Sequence, residues 1–464
     1  MTKSVKVTNT GNVPLNLSLA TSSNFGISFT NSSYVNNLNV SLNTSQDTII
    51  YIQFSPLQVQ NYKDSLIFTA DSLNTVKFPL EGNGFSGLMG NILQDTLICV
   101  DTLRIGSDIT ISSSARVTIC SGTYVKIMGN YKVTVEGILE ALGDSGNHVR
   151  FGVHDTVALW RGIYVYNPNP DDTSIFNYCD FIVNCNNPII DIWKGIVSVD
   201  HCNFSNRKVG AGVISMYKIQ YPCKLFISNS NIYSANSSAI MCNYCDSSYV
   251  INNHIYGNIM GIQFSTGNGM FITGNIIHDN IHEGIYGIGK MVIQKNEIYN
   301  NGGGIYFGGT DPIIENNAIY NNISSTVGGI YNGGGMGDGG GSISQNLIFN
   351  NQTTYGDGAG MLLVTSSNFN LEALITNNVI CNNKAFRRGN NFYASTGNSV
   401  GIDLKLLNNI IYNVSDTNNN IAWSHNKGLE IQYNCINQDS INIWGQNNID
   451  SKPKFVHPTD SIGK

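Results

Sequence analysis

The chain has 464 residues, enough for two or three domains and an ample core. Only 12% is charged, with 25 basic against 31 acidic residues and a net charge of −6, and no basic run occurs; this excludes the usual nucleic-acid-binding surface. No stretch reaches the apolar length of a membrane span, strong helix formers are scarce, and Asn, Ser, Gly and β-branched residues dominate, so the chain reads as all-β.

Residues 1–84 predict a small sandwich. Val5 to Thr8 alternates, and Asn9-Thr10-Gly11-Asn12 makes a turn before Pro14 to Leu17. Ile49 to Phe54 is a strand ended by Ser55-Pro56; Asp64 to Thr69 and Val76 to Leu80 alternate again; Glu81-Gly82-Asn83-Gly84 closes the unit. The phrases VKVTNTGNVPLNLSL, YIQFSPLQVQNYKDSLIF and FPLEGNG resemble Hydin-type immunoglobulin-like modules, which implies a spacer at a bacterial surface. Such modules begin one strand earlier, so another strand replaces that one or the chain is a fragment. Met1-Thr2-Lys3-Ser4 opens no signal peptide.

Residues 85–464 carry the repeat. Short strands at tight spacing fill 85–175: Thr102 to Ile105, Asp108 to Ile111, Arg116 to Ile119, Tyr124 to Met128 and Lys132 to Val135. From 176 to 437 one phrase returns: NNHIYGN, GNIIHDN, KNEIYNN, NNAIYNN, QNLIFNN, NNVICNN, NNIIYNV. Its apolar anchors are Phe181, Phe204, Ile232, Ile255, Ile277, Ile298, Ile319, Ile348, Ile380, Ile411 and Ile436. Asn stands two places before each anchor from Ile255 onward, while Cys179, Cys202 and Ser230 hold that place earlier. Each repeat has room for three alternating strands, the second of Gly-Ile-x-Phe type. A repeat of this length signals a solenoid, and it is too short for four-stranded propeller blades. The prediction is a right-handed three-sheet parallel β-helix, with Ile stacked on Ile inside. Asn at a fixed turn is expected both to take the left-handed backbone and to bond its amide to the coils above and below. Insertions are expected at 323–342, 352–372, 384–402 and 413–428, and a capping tail over 438–464.

This repeat resembles the parallel β-helix (PbH1) family of pectate-lyase-like proteins. VTVEGILEALGDSGNHVRF and ALWRGIYVYN are similar to the opening of many secreted members, and NNIDSKPKFVHP to their tail. The resemblance implies an extracellular or cell-surface protein that meets polysaccharide. It leaves three roles open: noncatalytic glycan binding or display, a lyase or hydrolase of acidic glycans, and an adhesin stalk. The calcium-binding carboxylates of pectate lyases and the paired aspartates of polygalacturonases have no counterpart in these phrases. No cofactor is therefore expected, calcium being left open with no site identified. The expected state is a monomer.

Of the 10 cysteines, Cys179 and Cys202 share a repeat position and are expected to stack as thiols, since disulfide Cβ atoms must face each other. Cys242-Asn243-Tyr244-Cys245 is a lone C-x-x-C without the second pair a zinc site needs. The glycine run Gly333 to Gly341 precedes no helix and reads as a loop, not a phosphate cradle.

Three groups could carry chemistry. The row after the anchors, Tyr233, Tyr256, His278, Tyr299, Tyr320, Phe349 and Tyr412, faces out; it is a sugar-stacking stripe or simply a stabilising ladder. His278, Asp279, His282 and Glu283 combine imidazoles with carboxylates, although His278 and Asp279 are explained by the repeat; His282 and Glu283 stand where other coils have small residues such as Gly303 and Gly304. The third group lies in the swollen coils. Tyr355 and Asp357 come from one coil, Lys384, Arg387 and Arg388 from the next, and Asp416, Trp423 and His425 from a third. If their insertions leave one edge they wall a groove, in which arginines meet carboxylates, Trp423 supplies a stacking plate, and a lyase would find its cation and base.

Overall fold

The computed structural model describes residues 2–453 except 23, 56–60, 71–72, 84–86, 155–158, 170, 207–211, 218–222, 245–246, 266–268, 310–311, 334–340, 365–370, 396–401, 415–418, 425–428, 438–444, 446 and 452. Asp416, His425, Cys245 and most of the glycine run therefore lie outside the described residues. The chain divides into two compact units, Met1–Gly87 and Leu88–Lys464.

The first unit has seven strands: β1 (Thr2–Thr8), β2 (Leu15–Ala20), β3 (Phe25–Ser28), β4 (Asn37–Leu42), β5 (Asp47–Phe54), β6 (Asn61–Ala70) and β7 (Leu73–Asn83). They form two antiparallel sheets, in the orders β1-β5-β3 and β4-β2-β6-β7. Alternation buries Leu17 and Leu19 against Phe25, Ile27, Ile50 and Leu66 and leaves Ser18 outside.

The second unit is a right-handed parallel β-solenoid of about 12 turns. Each regular coil contributes three short strands, for example Ile276–His278, Glu283–Ile288 and Met291–Gln294. Every one pairs in parallel with its counterpart in the next coil, so Ile277 lies on Ile298 and Ile298 on Ile319. All eleven anchors, from Phe181 to Ile436, fall in one column. Each of the Ile anchors from Ile232 to Ile436 is fully buried. The column is a dry core built by stacking identical side chains. A close approach explains the glycine of the second strand: a Cβ on Gly304 would stand 2.8 Å from the Ile319 side chain and 2.4 Å from a backbone carbonyl.

The asparagines divide the work that one turn residue was expected to do alone. In each doublet the first residue takes the left-handed backbone, as at Asn252 (φ 55°), Asn316 (φ 57°) and Asn377 (φ 58°). The second is buried and bonds along the axis. The Asn275 backbone N–H and Nδ2 both donate to Asn296 Oδ1, each at 2.9 Å, and Nδ2 also donates to the Val250 carbonyl at 2.8 Å. The ladder runs from Asn253 through Asn434 and ends on Asn448, which with Ile449 stacks on the last coil. A second ladder, not anticipated, runs through Asn258, Asn280, Asn301, Asn322, Asn351 and Asn383 at the next turn. From Asn383 it passes to Asn391 and Asn420. Satisfied this fully, a buried amide stabilises; with its partner removed it costs about 1–3 kcal/mol.

The cysteines split by face. Cys179 and Cys202 point inward as thiols, with the Cys179 N–H 3.3 Å from Cys202 Sγ. Burial pushes the Cys179 thiol well above its ordinary range, and the Cys202 hydrogen bond adds to this. Cys99 and Cys120, stacked in the same way on adjacent coils but turned outward, form a disulfide with Cα atoms 4.9 Å apart. Stacked cysteines are thus not confined to thiols, because one coil spacing lies within disulfide reach.

Candidate functional site

The spans expected as insertions each contain a second strand: Met361–Val364, expected from Gly360 to Leu363, and also Ile330–Asn332, Phe392–Ser395 and Ile421–Trp423, which were not expected. Every swollen coil therefore has its extra residues divided before and after the second strand, not gathered in one long insertion on a common edge. Tyr355, Asp357, Lys384, Arg387 and Arg388 all leave the edge that precedes the strand. Their loops are fastened coil to coil by backbone bonds: Lys384 N–H to Asn351 O at 2.8 Å, Arg387 N–H to Gly356 O at 3.2 Å, and Gly358 N–H to Arg388 O at 2.9 Å. Asn419 of the following coil holds the Arg387 carbonyl at 2.9 Å.

Within this edge Arg388 and Asp357 bind each other completely. The Arg388 backbone N–H and Nε donate to Asp357 Oδ1 at 3.0 and 3.1 Å, and Nη2 donates to Oδ2 at 3.1 Å. The guanidinium also lies 4.6 Å over the Tyr393 ring. This is a two-pronged pair with its cation stacked on an aromatic face. Lys384 and Arg387 are exposed, and neither makes an ion pair among the described residues. Beside them Tyr355 and Phe386 are 69% and 62% exposed, with ring centroids 5.9 Å apart and planes tilted by 52°. Sequence reasoning found Tyr355 and passed over Phe386, whose place in the loop only the register reveals.

Trp423 is placed differently from its expected role. It pairs with Ala394 in the inward column of the second strands and packs half-buried on the core, so it does not line the loop edge. The outward partners Leu362 and Tyr393 form a small buried cluster of their own with Val327.

The outward row on the first strands is a continuous ladder. Tyr233, Tyr256, His278, Tyr299, Tyr320 and Phe349 stack nearly parallel, with centroid spacings of 4.7–5.3 Å. Ring faces are occupied by neighbouring rings and only edges reach solvent. Tyr320 donates to Glu297 Oε1 at 2.6 Å. Burial first, and the Glu297 hydrogen bond and charge next, push its phenol well up. Phe349, Cys381 and Tyr412 continue the row as a buried cluster.

The histidine group comes apart. Glu283 pairs in register with Gly303, so His282 lies over Gly302, one place earlier than the sequence comparison suggested. His278 turns to other partners: its Nδ1 is 2.7 Å from Asp279 Oδ2 and its Nε2 2.6 Å from His254 Nε2. Burial, and then the neighbouring His278, hold the His254 imidazole below its ordinary range. Among the described residues no three His, Cys, Asp or Glu side chains converge as a metal site.

A further aromatic patch went unnoticed in the sequence. On the second sheet, Trp193 lies between Tyr164 and Tyr217 at 5.7 and 5.6 Å, with planes tilted by 42° and 48°. The Trp193 indole donates to Asp191 Oδ2 at 2.9 Å. Burial pushes the Asp191 carboxyl above the usual carboxylate range, against the lowering effect of that bond. The signal was present in GIYVYN and IDIWKG, but these coils depart from the Asn-rich phrase and a bulge between Val165 and Tyr166 shifts their register.

Stacked parallel coils, an Ile column and buried Asn ladders together define a right-handed parallel β-helix protein. Residues 219–380 match the family model described as "Right handed beta helix region". No curated protein matches the chain.

Proposed function

We propose that this is a secreted or cell-surface protein that binds acidic polysaccharide without cleaving it, with the first unit serving as a Hydin-type immunoglobulin-like spacer. The observation that carries the reading is the pairing of Tyr355 and Phe386, two rings 69% and 62% exposed, beside Lys384 and Arg387. Apolar sugar faces stack on such rings, and the two cations complement uronate or sulfate groups. The outward Cys99–Cys120 disulfide supports an oxidising compartment. A noncatalytic role is supported by Arg388 and Asp357: an acidic-glycan lyase needs a cation and a base directed at substrate, whereas these two are directed at each other.

The test is calorimetry of the full chain against a panel of uronate-rich, sulfated and neutral glycans, with absorbance for unsaturated ends. Binding confined to the acidic members is expected. Each stacking ring contributes about 1 kcal/mol, so Tyr355→Ala with Phe386→Ala should weaken binding roughly 30-fold. Unsaturated products would establish the rival reading, a polysaccharide lyase; no binding to any panel member would leave the adhesin stalk.

A further inference from the structure

We infer that His254 and His278 form a two-imidazole site for a divalent transition-metal ion of the copper, nickel or zinc type. The two Nε2 atoms face each other across adjacent coils at 2.6 Å. His278 is held in both the ways that a ligating imidazole requires. Its plane is fixed by stacking between Tyr256 and Tyr299, at interplanar angles of 4° and 7°. Its tautomer is fixed by Asp279, which at 2.7 Å accepts a hydrogen bond from Nδ1–H, so that the Nε2 lone pair is directed at His254. A carboxylate on the far ring nitrogen is the usual support of a metal-bound histidine. The His278 side chain is only 13% exposed, so little water competes for it.

In the metal-free protein one proton lies between the two Nε2 atoms. A metal ion takes its place when His254 moves that proton to its own Nδ1, so two neutral imidazoles bind and no proton is lost. Two metal–nitrogen bonds of about 2.0–2.1 Å at a tetrahedral angle set the nitrogens about 3.4 Å apart. The required widening falls to His254, whose ring is tilted by 35° on Tyr256 and not clamped between two faces. With no third protein ligand among the described residues, water completes the shell. Imidazole favours copper, nickel and zinc over calcium or magnesium, which prefer oxygen.

The chain's own repeats supply the test variants. His278→Phe keeps the stack, since Phe349 occupies the same column. His254→Asn copies Asn231, its partner in the preceding coil. Asp279→Asn copies the left-handed turn residues Asn300 and Asn321. The chelator-stripped full chain is titrated with CuCl2, NiCl2, ZnCl2 and CaCl2 by calorimetry, and its melting temperature is followed with and without ion. We expect one equivalent of the transition ions at micromolar affinity, none of calcium, and a metal-dependent rise in melting temperature. His278→Phe and His254→Asn should each lose that equivalent, and Asp279→Asn should weaken it about tenfold. If the two histidine variants fail to fold, Asp279→Asn alone decides. Variants that bind as the wild type does, or a wild type that binds none of the three ions, would overturn the inference.

Discussion

The coils from Asn252 to Asn322 and those from Ile323 to Asn437 share one interior and differ outside. In the first set successive asparagines of the first ladder are 21 or 22 residues apart; in the second they are 25–32 apart. The anchor column, the first Asn ladder and the parallel register pass through this change without interruption, while the second ladder continues to Asn383 and there steps to Asn391 of the same coil. The extra residues fall in sequence on either side of the second strand, and those before it include a short parallel pair, Ile323–Ser324 with Gln352–Thr353. The outward rows respond: Tyr299 and Tyr320 are half-buried, whereas Phe349 and Cys381 are covered. The interior is fixed by repetition, since any coil must match its neighbours. The exterior is free to vary, and the exposed Tyr355–Phe386 pair and the exposed Lys384 and Arg387 lie together where the repeat is interrupted.

The largest expected effect tests the shared interior. Ile298→Asp, in a tight coil, and Ile380→Asp, in a swollen one, each place a lone carboxylate in a fully buried column. Both should cost more than about 4 kcal/mol. Denaturant unfolding followed by far-UV circular dichroism reads this, with each protein expected to lose its cooperative transition. If the Ile380 variant melted like the wild type, the core would not be continuous through the swollen coils.

An intermediate effect separates the two exteriors. Tyr299 and Phe349 lie in one outward row, but Phe349 is buried and Tyr299 is not. Phe349→Ser should cost about 3 kcal/mol, as for loss of a buried ring. Tyr299→Ser should cost about 1 kcal/mol, the worth of exposed stacking. Equal losses in melting temperature would mean that the loops do not distinguish the two regions, and a loss for Tyr299→Ser matching Ile298→Asp would reverse the inward and outward assignment.

How much of this was legible follows the same division. The anchor column could be read because its period recurs many times and each Ile needs only another Ile above it. The placing of Asn in the turns was legible, but the doublet hid two roles, since residue type alone does not say which Asn carries the left-handed φ and which is buried. The second strand at Gly360 to Leu363 was legible, but Ile330–Asn332, Phe392–Ser395 and Ile421–Trp423 were not, because they are short and lack the full Gly-Ile-x-Phe phrase. Phe386, the Trp193 patch and the Cys99–Cys120 disulfide are juxtapositions between coils at irregular places. No period marks them, so they appear only when register is known. Trp423 shows the converse: an aromatic residue in a long non-repeating segment looked like surface chemistry, and strand alternation turned it inward.

The smallest expected effect concerns the loops themselves. Arg388 is 56% exposed, and its pair with Asp357 is screened by water; exposed pairs stabilise by about 0–1 kcal/mol even with two-pronged geometry. The loop does not depend on that pair, because Gly358 N–H to Arg388 O, Arg387 N–H to Gly356 O and the Asn419 amide hold the same backbone. Arg388→Ala should therefore lower the melting temperature by a degree or two and leave acidic-glycan binding nearly unchanged. Arg387→Ala should do the opposite, sparing stability and weakening binding. The contrast separates a fastening arginine from a recognising one two atoms of backbone apart in the chain. Loss of binding in Arg388→Ala with none in Arg387→Ala would move recognition from the bare rim onto the Arg388–Asp357 pair, and would favour the lyase.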